Sequence, residues 1–155
     1  MKLSDIIVND AIIPSVTATT RDEAIAELIG ALADAGAVAD TSVQDFTDAI
    51  IAREAQASTG IGNGIAFPHA RIKGVKNPIA AIGCSRDGIE FNSIDAKPVG
   101  MVVLLLSNPD DPGEHLEAME AVFKHVQREV FRTEMQACQT SDEIIDLVKK
   151  ADESV

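Results

Sequence analysis

Two histidines, His69 and His115, and one arginine, Arg53, are the side chains of this sequence best suited to handling a phosphate. A neutral imidazole presents a nucleophilic nitrogen near physiological pH, provided that its other nitrogen is held as a hydrogen-bond donor. His69 lies in Ser58-Thr59-Gly60-Ile61-Gly62-Asn63-Gly64-Ile65-Ala66-Phe67-Pro68-His69-Ala70-Arg71. Glycines at every second position allow positive φ and close approach of the backbone to a ligand, Asn63-Gly64 is a turn dipeptide, and Pro68 fixes φ just before the ring. Such a loop holds an imidazole rigidly at a surface that a partner can reach. His115 follows the turn-rich Asn108-Pro109-Asp110-Asp111-Pro112-Gly113 and opens a predicted helix, whose free N–H groups and positive end suit an anion. Arg53 falls in the last turn of another predicted helix, where its planar fork could bind phosphate oxygens or simply complement the helix dipole.

The loop resembles the phosphorylation site of the IIA proteins of the bacterial phosphoenolpyruvate-dependent phosphotransferase system, in the fructose/mannitol/nitrogen-regulatory branch. The family pattern is close to Thr-Gly-Ile-Gly-x-Gly-Ala/Ile-x-x-Pro-His-Ala-Arg, which Thr59 to Arg71 matches. An Arg-Glu pair precedes it, here Arg53-Glu54, and a His-Leu pair follows downstream, here His115-Leu116. The similarity runs from Thr20 to about Val148. Phe67 and Met119 stand where the family more often carries aliphatic residues, which implies altered packing and a modified docking surface.

The resemblance implies one α/β domain over residues 1–155, built on a mainly mixed β-sheet with helices on both faces, as in mannitol-specific IIA. It implies that Nε2 of His69 takes a phosphoryl group from phospho-HPr, with a backbone carbonyl or side chain holding Nδ1–H. His115 and Arg53 would share the catalytic site, His115 by holding the phosphate or by stabilising charge in transit. Thr59, Gly60 and Arg71 are the implied supporting, phosphate-binding groups. The next acceptor is a IIB protein in sugar-transport members and a regulatory target in nitrogen-regulatory members. A free-standing IIA chain leans to the second kind. No cofactor and no metal are implied.

Other readings fit the residues less well. A dinucleotide fingerprint would need glycine at the position after Gly64, which is Ile65, and there is no Gly-Lys-Ser/Thr, so phosphate would be carried without binding ATP. A metal-dependent hydrolase lacks His-Glu-x-x-His or paired ligand spacing. A regulatory binding module with an inert site would lose a motif histidine, and both are present. His125 has no motif around it and is expected to be structural or exposed, and Lys73 an ordinary surface residue.

Composition narrows the setting. A net charge of −12 excludes a nucleic-acid partner, which needs a basic footprint. The charge is uneven: residues 1–52 carry two basic and nine acidic side chains and residues 108–155 five and twelve, but residues 53–107 carry six and four. The glycine loop thus lies in the one stretch with a basic surplus, free of carboxylates that would repel a phosphoryl dianion. The apolar run Val99 to Leu106 is far short of the roughly 20 residues of a membrane helix, and the N-terminus carries Asp5 and Asp10 rather than a signal peptide. A cytoplasmic protein without membrane insertion is expected. Cys84 and Cys138, outside any metal-binding spacing, are expected to be buried reduced thiols.

The elements that must position the histidines follow from periodicity. Thr20-x-x-Glu23 is a capping box, followed by Ile25, Leu28, Ile29 and Leu32 on one helical face, with Gly36 as the stop. A second helix is predicted from Thr41 or Ser42 to about Arg53. Ala11 to Val16 reads as an edge strand bent by Pro14. Ile79 to Ser85 and Val99 to Leu106 read as central strands buried on both faces. Arg86-Asp87-Gly88 reads as a turn leading to a short strand at Ile89 to Phe91, as in a hairpin. Helices are predicted for Glu114 to about Arg128, about Glu129 to Gln139, and Thr140 to Lys150, with residues 151–155 as a frayed tail.

Overall fold

Val99–Ser107 is apolar at nearly every position because both of its faces are covered. In the computed structural model, which describes residues 1–154, this strand, β6, alternates Met101, Val103 and Leu105 into one core with Val102, Leu104 and Leu106 into another. The first core is closed by α1 (Leu3–Ile6), α4 (Pro112–Val126), α5 (Glu129–Ala137) and α6 (Ser141–Glu153). The second is closed by α2 (Arg21–Asp34) and α3 (Val43–Gln56), which a 3-10 turn at Asp40–Ser42 introduces. Helices on both faces of one sheet make an α/β sandwich.

The other strands are β1 (Ile7–Ile13), β2 (Gly60–Gly62), β3 (Ile65–Ala66), β4 (His69–Arg71) and β5 (Ile79–Ile89). The order is β1-β5-β6-β3-β2, with β4 also paired to β6. β5 and β6 are antiparallel, β1 runs parallel to β5, and β3 and β4 both run parallel to β6, so the sheet is mixed as the resemblance implied. The N-caps appear where the sequence places them, as half of each capping box: the Thr20 and Thr140 hydroxyls accept from the N–H groups of Glu23 and Glu143, while the two carboxylates bond to those hydroxyls, and Gly36 leaves the helix at φ 79°.

Four expectations are corrected. The first strand starts at Ile7 and ends at Ile13; it is an edge strand as expected, and the chain bends at Pro14, beyond which Val16 N–H still donates to the Cys84 carbonyl at 2.9 Å. Arg86-Asp87-Gly88 is no hairpin turn: β5 continues to Ile89, opposite Val99, and the ladder slips between Cys84 and Ile89, where Gly88 adopts φ 83°. The bulge absorbs the turn-like residues without reversing the chain. The last helix does not stop at Lys150: α6 runs to Glu153 with Ala151 buried, and Val155, the end of the expected tail, lies outside the described residues. Cys84 and Cys138 are free and only half-buried. Burial pushes the Cys84 thiol up to about 11, helped by neighbouring Cys138, and Cys138 is raised as well, so both stay protonated thiols.

Candidate functional site

The glycine loop folds as two very short strands around a reversal. Asn63 (φ 58°) and Gly64 (φ 75°) take consecutive left-handed conformations, which is what a tight hairpin of this hand requires. The loop is fastened to β6 along its length. The Gly64 carbonyl accepts from Gly100 N (2.8 Å) and Met101 N (3.0 Å), and the Pro68 carbonyl from Leu105 N (3.0 Å). Phe67 is 1% exposed and anchors the segment in the core. His69 then emerges opposite Leu105 at the start of β4, half-buried.

The orientation of His69 follows from one bond. Its Nδ1 lies 2.8 Å from the Phe67 carbonyl oxygen. A carbonyl only accepts, so Nδ1 carries the proton and Nε2 keeps its lone pair. Burial lowers the pKa of the ring below its usual 6.5; the bond to Phe67 opposes this, Arg53 adds to the lowering, and Glu54 opposes it. At neutral pH the ring is therefore uncharged and nucleophilic at Nε2.

His115 reaches the same place from the first turn of α4, whose N-cap Asp111 accepts from Glu114 N at 3.0 Å. Its ring centroid is 6.1 Å from that of His69, and its Nδ1 is bonded to the hydroxyl of Ser107. Its pKa is lowered by burial, then by His69 and by Arg71. When Ser107 donates to Nδ1, Nε2 of His115 carries the proton and can donate to an anion.

The other sequence-predicted residues divide into two groups. Arg53 ends α3 and donates from Nη1 to the Ala57 carbonyl at 3.0 Å, close enough to His69 to affect its protonation. Arg71 is exposed two residues beyond His69 and acts electrostatically on His115. Thr59 is buried, and its hydroxyl is bonded to the Glu54 carboxylate rather than free for a ligand. Gly60 packs so tightly that an added Cβ would lie 2.9 Å from Ser93 Cα. His125 is buried away from the site and bonded to Asp152 at 3.0 Å.

Ser107 escaped the sequence reading, and Glu54 entered it only as half of the Arg53-Glu54 pair, without a role. Ser107 is a 1%-exposed polar residue closing an otherwise apolar strand, and Glu54 is a 2%-exposed carboxylate on the buried stripe Phe46, Ile50, Glu54 of α3. A polar side chain at an apolar periodic position was the available signal in both cases. Phe67 meets the His69 ring at 5.2 Å and Phe123 edge-on at 5.3 Å, so the departure from an aliphatic residue changes packing directly under the site.

A mixed sheet between two helical layers, with one histidine after a glycine-rich loop facing a second at the start of a helix, defines a class of histidine-bearing α/β sandwich. The chain belongs to the family described as "Phosphoenolpyruvate-dependent sugar phosphotransferase system, EIIA 2", whose family model matches residues 5–151. It is 33% identical over 152 residues to the PTS system fructose-specific EIIABC component of Bacillus subtilis (strain 168), covering 98% of this chain and 24% of that protein. The chain thus spans about a quarter of the length of that relative. Among solved structures, it resembles nitrogen regulatory protein IIA-Ntr from Neisseria meningitidis with a TM-score of 0.84 and 25% identity, over 94% of this chain and 98% of that one. The fold also matches the IIAMtl–phosphorylated IIBMtl complex from Escherichia coli, with a TM-score of 0.73 and 20% identity, over 91% of this chain and 95% of that one. Among the described residues, no helix is long and apolar enough to cross a membrane.

Proposed function

We propose that the protein is a phosphoryl carrier that accepts the phosphoryl group of phospho-HPr on Nε2 of His69. The observation that carries this reading is the 2.8 Å bond from Nδ1 to the Phe67 carbonyl, which fixes the proton on one nitrogen and leaves the other free beside His115. In the transfer, the Nε2 lone pair forms a bond to phosphorus while the P–N bond of the donor phosphohistidine breaks. The donor imidazole recovers its electron pair, and Nδ1–H of His69 stays in place. Catalysis of this kind rests on positioning and charge stabilisation. His115 donates to a phosphoryl oxygen, and the Arg53 guanidinium offsets the charge of the group.

The loaded His69 then passes its phosphoryl group to a IIB protein or reports its phosphorylation state to a regulatory target. Relatives named for fructose uptake and for nitrogen regulation support a carrier common to both branches, and the solved complex of IIAMtl with phosphorylated IIBMtl supports the first acceptor. The protein works in the cytoplasm, where both kinds of partner are found. Reconstitution with phosphoenolpyruvate, Enzyme I and HPr tests this. Mass spectrometry is expected to find one acid-labile phosphate on His69 and none on His69→Ala; full labelling of that variant, or labelling from ATP without the relay, would contradict the reading.

A further inference from the structure

Behind His69 three hydrogen-bonded contacts, joined through the main chain of Phe67 and Thr59, lead to a buried carboxylate. His69 Nδ1–H donates to the Phe67 carbonyl at 2.8 Å. Phe67 N–H donates to the Thr59 carbonyl at 3.0 Å. Thr59 in turn donates its N–H to both carboxylate oxygens of Glu54, at 3.2 and 3.1 Å, and its hydroxyl to one of them. Glu54 is 2% exposed, in the last turn of α3.

We propose that Glu54 is a positioning residue for phosphoryl transfer, holding the Thr59–Phe67 frame that aims the His69 ring and placing a buried negative charge behind it. The proposal rests on His69 being the phosphoryl acceptor. Its chemistry follows from the step itself. When Nε2 bonds to phosphorus and Nδ1 keeps its proton, positive charge grows on the imidazole. A carboxylate kept from water by burial stabilises that charge more than a solvated one would. The charged and titratable groups around the ring are Arg53 and Glu54 from α3, His115 from α4, and Arg71 further along β4. Among these Glu54 alone is acidic, and it offsets Arg53, which opposes charge on the ring while attracting the phosphate.

The test is a ¹⁵N NMR titration of His69 in the unphosphorylated protein, paired with transfer kinetics from phospho-HPr. Glu54→Gln keeps the size of the side chain and removes its charge. The titration midpoint of His69 is expected to fall, the Nε2–H tautomer to become detectable, and phosphoryl acceptance to slow by about tenfold, as losses of outer partners of functional histidines do. Glu54→Asp is expected to restore most of the midpoint. A folded Glu54→Gln with the wild-type midpoint, tautomer and rate would overturn the proposal. If Glu54→Gln does not fold, Thr59→Val carries the test by deleting the hydroxyl donor at constant shape: a rise in the Nε2–H tautomer is expected, and an unchanged titration would overturn the proposal. Because the titration needs no relay, absence of phosphorylation in the wild type would sink the carrier reading while leaving the Glu54 effect on the ring measurable.

Discussion

At the scale of single residues, the site works through protonation states set by burial. His69 and His115 both titrate below the usual 6.5, burial being the leading cause in each. Phosphoryl acceptance requires neutral His69, so the rate is expected to hold steady as pH falls past 6.5 and to drop only through the lower midpoint; a half-maximal point above 6.5 would contradict this. The stability consequence has a definite sign. Between the unfolded and the lower folded midpoints the unfolded chain binds more protons, so stability falls as pH drops from 6.5 through the folded values. Urea midpoints at several pH values check it. His115→Ala removes one donor from the phosphate and is expected to slow transfer by about a hundredfold with the fold intact, read by rapid-quench kinetics. Arg53 tethers the Ala57 carbonyl and acts electrostatically on His69. Lysine lacks the fork for both tasks, so Arg53→Lys is expected to impair transfer while changing stability by less than about 1 kcal/mol. Normal transfer in that variant would leave Arg53 only its role at the helix end. His69, His115 and Arg53 could be singled out in the sequence because the loop pattern carries the first and the His-Leu and Arg-Glu pairs on either side of it carry the others. Glu54 and Ser107 were not legible as partners, since their bonds depend on how α3 and β6 meet the loop.

At the scale of elements, local signals were reliable where the physics is local. Thr20 and Thr140 cap their helices as the Thr-x-x-Glu pattern specifies, because the bonds involved span three residues. The signals failed where distant contacts decide. Arg86-Asp87-Gly88 has the composition of a turn, yet the pairing of Ile89 with Val99 keeps it within β5. The four-residue α1 was missed because its first N–H groups are satisfied from the other end of the chain, by Asp152 bonded to Leu3 N (3.1 Å) and Ser4 N (2.9 Å). Glycine positions give a paired test of packing. At Gly60 a Cβ would press on the Ser93 backbone, so Gly60→Ala is expected to cost roughly 1–3 kcal/mol in urea unfolding. Gly30 lies inside α2 with nothing within 4 Å of a built Cβ, so Gly30→Ala is expected to gain about 0.5–1 kcal/mol. Equal effects at the two positions would contradict the packing described.

At the scale of the molecule, two cores on a mixed sheet were legible from the continuous apolar run of β6, which suits only a strand covered on both faces. The tie that closes one of those cores was not. Asp152 joins α6 to α1 and to the buried His125 of α4, three elements that no local pattern connects. Burial alone would push its carboxyl up, but bonds from Ser4, His125 and Leu3 outweigh burial and hold it below the usual 3.8. The stability it contributes is therefore present above 3.8 and lost as pH falls through the lower folded value. Asp152→Ala strands His125 and two N–H groups and is expected to cost about 3 kcal/mol or more by calorimetry, with phosphoryl transfer preserved in the folded fraction. A melting temperature equal to wild type would remove Asp152 from the framework.

The most direct test of the carrier is the chemical state of both His69 nitrogens after loading from phospho-HPr, followed by ¹⁵N and ³¹P NMR. Phosphorus is expected on Nε2, with Nδ1 still protonated and bonded to the Phe67 carbonyl. Phosphorus on Nδ1, on another residue, or on no residue of the folded protein would contradict the assignment.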